Sequence, residues 1–201
     1  MTRELPYTSS IKDMPFMFSE MRRTAQFLCE GKSVNEIVEM SMQSNIYQLE
    51  REKRRRDVPL RMTKRLLTLD DVLISVISNS SEKDARLIAF LALIKADRLL
   101  YEYMSEVYVD LYHVGKKEIA DKDFIDFIER KSHESDTVSK WTSTTLVRIR
   151  NTYKNILCEA DLAKRSGDVL FIQKAFVDCD LLGLLGGENA LYARVMLLEV
   201  S

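Results

Sequence analysis

Cysteine is scarce in this chain of 201 residues: Cys29, Cys158 and Cys179 make an odd number with no CxxC spacing. That composition argues against a disulfide framework and a zinc knuckle, and it fits a reducing compartment. Helix breakers are few as well, six Gly and three Pro, so long helices are expected. Long apolar runs are missing: the longest, residues 87–94, spans eight positions, whereas a bilayer crossing needs about 20. It reads as a buried core helix, and no membrane anchor is expected. Residues 1–10 carry acidic and polar groups rather than the apolar stretch of a secretory signal, so the expected location is the cytoplasm. The two histidines, His113 and His133, have no second His or Cys at metal-ligand spacing, and no metal or cofactor is expected.

What is present is a globular composition, 46% hydrophobic and 30% charged, long enough to bury a real core as one unit or two small helical lobes. The formal net charge of −1 conceals segregation. Residues 50–65 hold eight Lys/Arg against three Asp/Glu, a net of +5, and residues 140–174 hold seven against three, a net of +4. The rest of the chain carries −10. Two local basic surfaces on an acidic body are the pattern of a protein that meets a polyanion or an acidic partner.

Periodicity predicts an almost wholly helical fold. Met21, Ala25 and Leu28 fall on one face of a helix stopped by Gly31. Ser33 and Glu36 form a capping box for the next, with Val34, Ile37, Val38 and Ser41 inward. A third helix is predicted to start at Ser44 and to end before Pro59, which disfavours helical backbone in the residue before it. Two shorter helices follow over residues 60–69 and 71–78. Ser81 with Asp84 caps a helix that is apolar on nearly every face. Leu100, Tyr103, Val107, Leu111 and Val114 predict a long amphipathic helix ended by Gly115, and Phe124, Ile125 and Ile128 predict the core face of another. A long helix near Thr142 turns Leu146, Ile149, Tyr153, Ile156 and Leu157 inward. The β-branched and aromatic run within 168–177 then predicts one short β wing, and a last helix covers residues 188–199. The fold class is therefore all-α, a compact multi-helix fold with one short wing near the C-terminus. Two lobes are expected, 1–80 and 81–201, packed as one unit.

Residues 24–37 run through a small residue, a turn glycine, a cap and an apolar docking residue, the order of a helix-turn-helix. The helix expected after it carries Ser44, Asn45, Tyr47, Gln48 and Arg51, side chains that bond base edges or phosphates, with Lys53, Arg54, Arg55 and Arg56 behind. A solvated helical hairpin explains the same residues without DNA; the local +5 favours the first reading. A second such element begins near Thr142: Ser143, Thr144, Arg148, Asn151 and Lys154 lie on its polar side, and Lys164 and Arg165 precede the wing. Trp141 suits a core anchor.

Enzyme signatures do not assemble. Gly31-Lys32-Ser33 ends like a phosphate-binding loop, but position 26, where the first glycine belongs, is Gln26. Asp121, Asp123 and Asp126 lack the glycine and glutamate of a calcium loop and suit a first helical turn. No GxSxG or GxGxxG occurs.

The segment 5–10 (Leu5-Pro6-Tyr7-Thr8-Ser9-Ser10), the Glu30-Gly31-Lys32-Ser33 turn, Asn45 with the basic stretch after it, residues 61–69, and Trp141-Thr142 with Thr145 together resemble the BrxA family. BrxA proteins are small accessory components of BREX bacteriophage-exclusion systems, which mark host DNA by adenine methylation and block replication of unmarked phage DNA. The resemblance spans nearly the whole chain. It implies a non-catalytic, helical, DNA-associated protein working beside a methyltransferase, an ATPase and other defence proteins; the basic helices add the expectation of double-stranded DNA as the partner, and a monomer or weak oligomer is expected. A protein-interaction adaptor within the defence complex and an RNA-binding helical module are the alternatives.

Overall fold

Helices begin where a short polar side chain takes an orphan amide. A computed structural model describes residues 4–167 and 169–200. Its first long helices are α1 (Phe18–Cys29), α2 (Val34–Ser44), α3 (Glu52–Leu66), α4 (Asp71–Asn79) and α5 (Glu82–Ala96). At α2 the Ser33 hydroxyl accepts from the Glu36 amide (3.3 Å) while Glu36 accepts from the Ser33 amide (2.8 Å), the reciprocal box the spacing predicts. Asp70 caps α4 through the Leu73 amide (2.9 Å), and Ser81 caps α5 through the Asp84 amide (3.2 Å).

The described chain forms two compact units: residues 16–96, and residues 4–15 together with 97–200. The division expected between residues 80 and 81 thus lies inside the first unit. There α5 packs on α1, α3 and α4 with Leu87 through Ile94 all buried. A helix apolar all round is stable only when surrounded, each large side chain contributing roughly 1.5–3 kcal/mol by leaving water.

Pro59 sits inside α3 instead of ending it. Proline removes the N–H that the carbonyl four residues earlier would accept, and here Ser41 of α2 donates to that Arg55 carbonyl (2.6 Å). The predicted start at Ser44 fails for the complementary reason. Asn45 and Gln48 take left-handed backbone (φ 46° and 55°), and the Asn45 side chain accepts from the Leu49 amide (2.8 Å), so residues 45–51 are a loop.

In the second unit, helix α6 (Arg98–Tyr103) continues through a π turn at Met104–Tyr108 into α7 (Val109–His113). The inserted residue rotates the downstream faces by about 100°. Tyr103 and Val107 are buried accordingly, whereas Val114, expected on the same stripe, is 76% exposed. Next come β1 (Glu118–Ile119), α8 (Asp121–Glu134), α9 (Asp136–Ser139) and α10 (Ser143–Glu159). Helix α8 buries Phe124, Phe127 and Ile128 and leaves Ile125, an expected core residue, exposed. Tyr103, Phe124, Phe127 and Tyr153 form an aromatic cluster with ring centroids 5.1–6.0 Å apart.

The β element the sequence announces is a three-stranded antiparallel sheet, in the order β1, β3 (Val169–Ile172), β2 (Ala163–Ser166). Arg165 and Ser166, which precede the predicted run, pair with Leu170 and Val169. Asp168, the first residue of the predicted run, lies outside the described residues. Two short helices close the chain, α11 (Cys179–Leu184) and α12 (Ala190–Val195). The fold is the mostly helical one expected. No helix among the described residues is long and apolar enough to cross a membrane.

Residues 4–15 join the second unit through a buried charge network. Tyr7 donates to Glu102 (2.8 Å), Arg98 pairs with Glu102 (2.8 Å) over the Tyr7 ring, and Lys131 reaches Glu106 (2.6 Å), Glu102 (3.1 Å) and Glu134 (3.1 Å). Burial disfavours the Glu102 anion, yet hydrogen bonds from Arg98, Tyr7 and Lys131 outweigh it and hold the carboxyl below its usual range.

Candidate nucleic-acid interface

The first candidate surface is built on α3. Its inner side is Val58, Pro59, Met62, Thr63, Arg65 and Leu66. On the outer side Lys53, Arg56, Leu60 and Lys64 are exposed, with Asp57 and Arg61 half-buried between them. Spacings of three and four residues place these on one helical ridge, and Arg51 stands exposed at its N-terminal end. Among the described residues none of Arg51, Lys53, Arg54, Arg55, Arg56, Arg61 or Lys64 is ion-paired. The charge of the exposed ones, Arg51, Lys53, Arg56 and Lys64, faces solvent without a paired carboxylate.

Two cations of this stretch are committed to backbone instead. Arg55 donates to the Leu49 carbonyl (2.9 Å), and buried Arg65 donates to the Phe16 carbonyl (3.2 Å). Arg54 is half-buried, with its guanidinium 3.8 Å from the Met17 sulfur. Tyr47 does not project as the sequence suggested: it is buried, its hydroxyl 2.7 Å from the Thr24 hydroxyl. Ser44 is exposed at the end of α2, while Asn45 and Gln48 shape the loop before α3. The predicted residues thus divide into an exposed basic group and a group that builds the turn. Arg61 and Lys64 complete the ridge and were missed as site residues. Their signal was the same basic window, obscured by the helix break assigned to Pro59.

The second candidate surface is α10 with the sheet. Thr142 caps α10 through the Thr145 amide (3.2 Å), leaving Ser143 and Thr144 exposed in the first turn. Its cations are largely engaged. Arg148 pairs with Asp13 (3.0 Å), Arg150 pairs with Asp121 (2.8 Å), and Lys154 pairs with the same Asp121. Lys154, and with it Arg150, holds the Asp121 carboxyl below its ordinary value. Arg165 donates to the Asn155 side chain (3.2 Å), Asn151 is exposed, and Lys164 is exposed on β2. Arg150, Asn151, Lys154, Asn155 and Arg165 all line one cleft of about 690 Å³ between α10 and the sheet. Of these, Asn151, Lys154 and Arg165 were predicted; the roles of Arg150 and Asp121 needed the tertiary structure.

Among the described residues, no three His, Cys, Asp or Glu side chains are placed to hold a metal ion. The class these features define is a mostly helical protein with an unpaired basic ridge. The BrxA family model matches residues 5–187, and the chain belongs to the BrxA family. A BREX protein BrxA of Bacillus cereus (strain H3081.97) is 30% identical over 181 residues, covering 90% of each chain. An uncharacterized protein from Magnetospirillum magneticum, known from its crystal structure, shares the fold. Its TM-score is 0.80 at 20% identity, over 96% of this chain and 98% of that one.

Proposed function

We propose that this protein is a non-catalytic accessory of a BREX phage-defence system, acting in the cytoplasm, and that it binds double-stranded DNA mainly through phosphates. Family membership supports the defence role. The observation that carries DNA binding is the α3 ridge, where Lys53, Arg56, Arg61 and Lys64, with Arg51 at the end, stand without a pairing carboxylate. Such cations release condensed counterions when they meet a duplex, which yields affinity without sequence preference. The α1–α2 hairpin supports the ridge in the manner of a helix-turn-helix scaffold. Helix α10 and Lys164 supply a weaker second contact, because most of their neighbouring charge is already neutralised.

A gel-shift titration at several salt concentrations tests this reading. Five phosphate contacts give log affinity a slope of roughly −4 to −5 against log salt. A flat salt dependence, or unchanged affinity in an Arg51→Glu, Lys53→Glu, Arg56→Glu, Lys64→Glu variant with native circular dichroism, refutes the ridge.

One observation favours a second reading. Leu60 is 43% exposed in the middle of the ridge and Leu67 62% exposed at its end, a mixture that suits an acidic amphipathic helix of another BREX protein. Pull-down with and without nuclease separates this adaptor role from DNA binding, and competition between duplex DNA and RNA separates both from an RNA-binding module.

A further inference from the structure

The cleft between α10 and the sheet has a donor surplus that its own residues do not satisfy. Arg150, Asn151, Lys154 and Asn155 share one face of α10, and Arg165 approaches from β2. Against these donors stand the amide oxygens and two carboxylates, Asp121, which Arg150 and Lys154 already share, and Glu118, which is exposed. The Nε of Arg150 is buried and has no hydrogen-bond partner among the described residues. A buried guanidinium donor without an acceptor is costly in a finished structure and calls for an explanation. The cleft wall also includes apolar Val169, which is exposed.

We infer that this cleft binds a nucleoside phosphate, its phosphoryl group held by Arg150 and Lys154 and its ring lying toward Val169. Three considerations select that class. The cations and amides offer several N–H donors to one oxyanion, the geometry guanidinium recognises best. The volume, about 690 Å³, far exceeds that of inorganic phosphate and falls within the roughly 300–1,000 Å³ of small-molecule sites. The apolar wall gives a flat heterocycle a surface that a bare anion would not use. Asp121 acts as the resident counter-ion: it holds Arg150 and Lys154 in place until the incoming phosphoryl oxygens replace it. The phosphate can come from a free nucleotide or from the phosphorylated end of a DNA strand, and the chemistry at the cleft is the same. This inference does not rest on the α3 ridge.

The test is titration of the isotope-labelled full chain, followed by amide NMR, with four probes: deoxyadenosine monophosphate, deoxyadenosine, and a short single-stranded oligonucleotide with and without a terminal phosphate. The expected result is saturable shifts at Arg150, Asn151, Asn155 and Arg165 with the two probes that carry a phosphomonoester and none with deoxyadenosine or the oligonucleotide lacking a terminal phosphate. Tighter binding of the phosphorylated oligonucleotide than of the mononucleotide assigns the strand end, and the reverse order assigns the free nucleotide. Asp121→Asn removes the competitor and is expected to tighten binding about tenfold, whereas Arg150→Met weakens it about tenfold or more. A merely structural ion pair would not yield a tighter binder when broken. Should Asp121→Asn lose its circular dichroism, Lys154→Met gives the same reading in the weakening direction. The inference is overturned if neither phosphomonoester probe shifts the cleft, or if the folded variants bind like the parent. The Lys53→Glu, Arg56→Glu, Lys64→Glu protein should titrate normally here even where it no longer binds a duplex, so the two readings fail separately.

Discussion

The two basic stretches of this chain look alike as sequence, net +5 over residues 50–65 and +4 over 140–174, yet the folded protein uses them differently. On α3 the cations line an open ridge without carboxylate partners. Around α10 they are drawn into pairs, Arg148 with Asp13, Arg150 and Lys154 with Asp121. The same unit contains the buried limit of that behaviour, Lys131 among Glu102, Glu106 and Glu134. Charge density along a chain therefore measures the supply of cations, while the acids that folding brings near decide how many stay available.

The comparison is tested most severely where pairing is deepest. Lys131→Met takes one of two cations from the buried Glu102 carboxylate, leaving Arg98, and is expected to cost about 3 kcal/mol in urea unfolding. If the loss is within error, the network is not structural and the contrast with the ridge weakens. The network also predicts a pH dependence. Glu102 has a depressed pKa, so its contribution is complete above the ordinary glutamate value of about 4.3 and disappears as pH falls through the lower folded value. Glu102→Gln should flatten that acid limb in unfolding titrations at stepped pH.

On the ridge, the effect is on binding rather than folding. Reversing Lys53, Arg56 and Lys64 to Glu should weaken duplex binding on the order of 100-fold near 0.1 M salt with Tm little changed. Neutralising Arg148 and Lys154 to Met should change it about threefold or less, since these charges are already spent on aspartates. Equal losses from the two sets, measured in one gel-shift series, would erase the distinction drawn here.

A smaller effect concerns why the ridge exists as one helix. Ser41→Ala deprives the Arg55 carbonyl of its donor and should cost about 1–2 kcal/mol; in a Pro59→Ala background, where residue 59 regains its amide, the same change should cost clearly less. Denaturant unfolding of the four proteins gives that cycle. Smallest of all, Tyr153→Phe should be neutral or slightly stabilising in the same assay, because the buried Tyr153 hydroxyl has no partner among the described residues.

Much of the architecture is legible one residue at a time. Ser33 and Glu36 announce α2, Ser81 and Asp84 announce α5, Thr142 announces α10, and the eight apolar residues before Lys95 announce the most buried helix. Caps and periodicity act within a few residues, so a linear reading captures them. The misreadings share the opposite property. Pro59 ends a helix by local rules, and only the hydroxyl of Ser41, fourteen positions before Arg55 and on another helix, makes its place in α3 tolerable. Val114 and Ile125 misled because a π turn and the orientation of α8 set their exposure.

By itself, the amino-acid order determined that this protein is helical, where most of its helices begin, that one short β element follows α10, and that its positive charge is gathered in two stretches. Tertiary structure alone decided that Tyr47 is buried, that Pro59 stays within a helix, and that Asp13 and Asp121 pair with three cations of the second basic stretch while, among the described residues, no carboxylate pairs with the cations of the ridge. The physical reason is range. Hydrogen-bonded caps and side-chain periodicity are fixed by neighbours in sequence, whereas burial and ion pairing depend on distances of a few ångströms between residues that folding alone brings together.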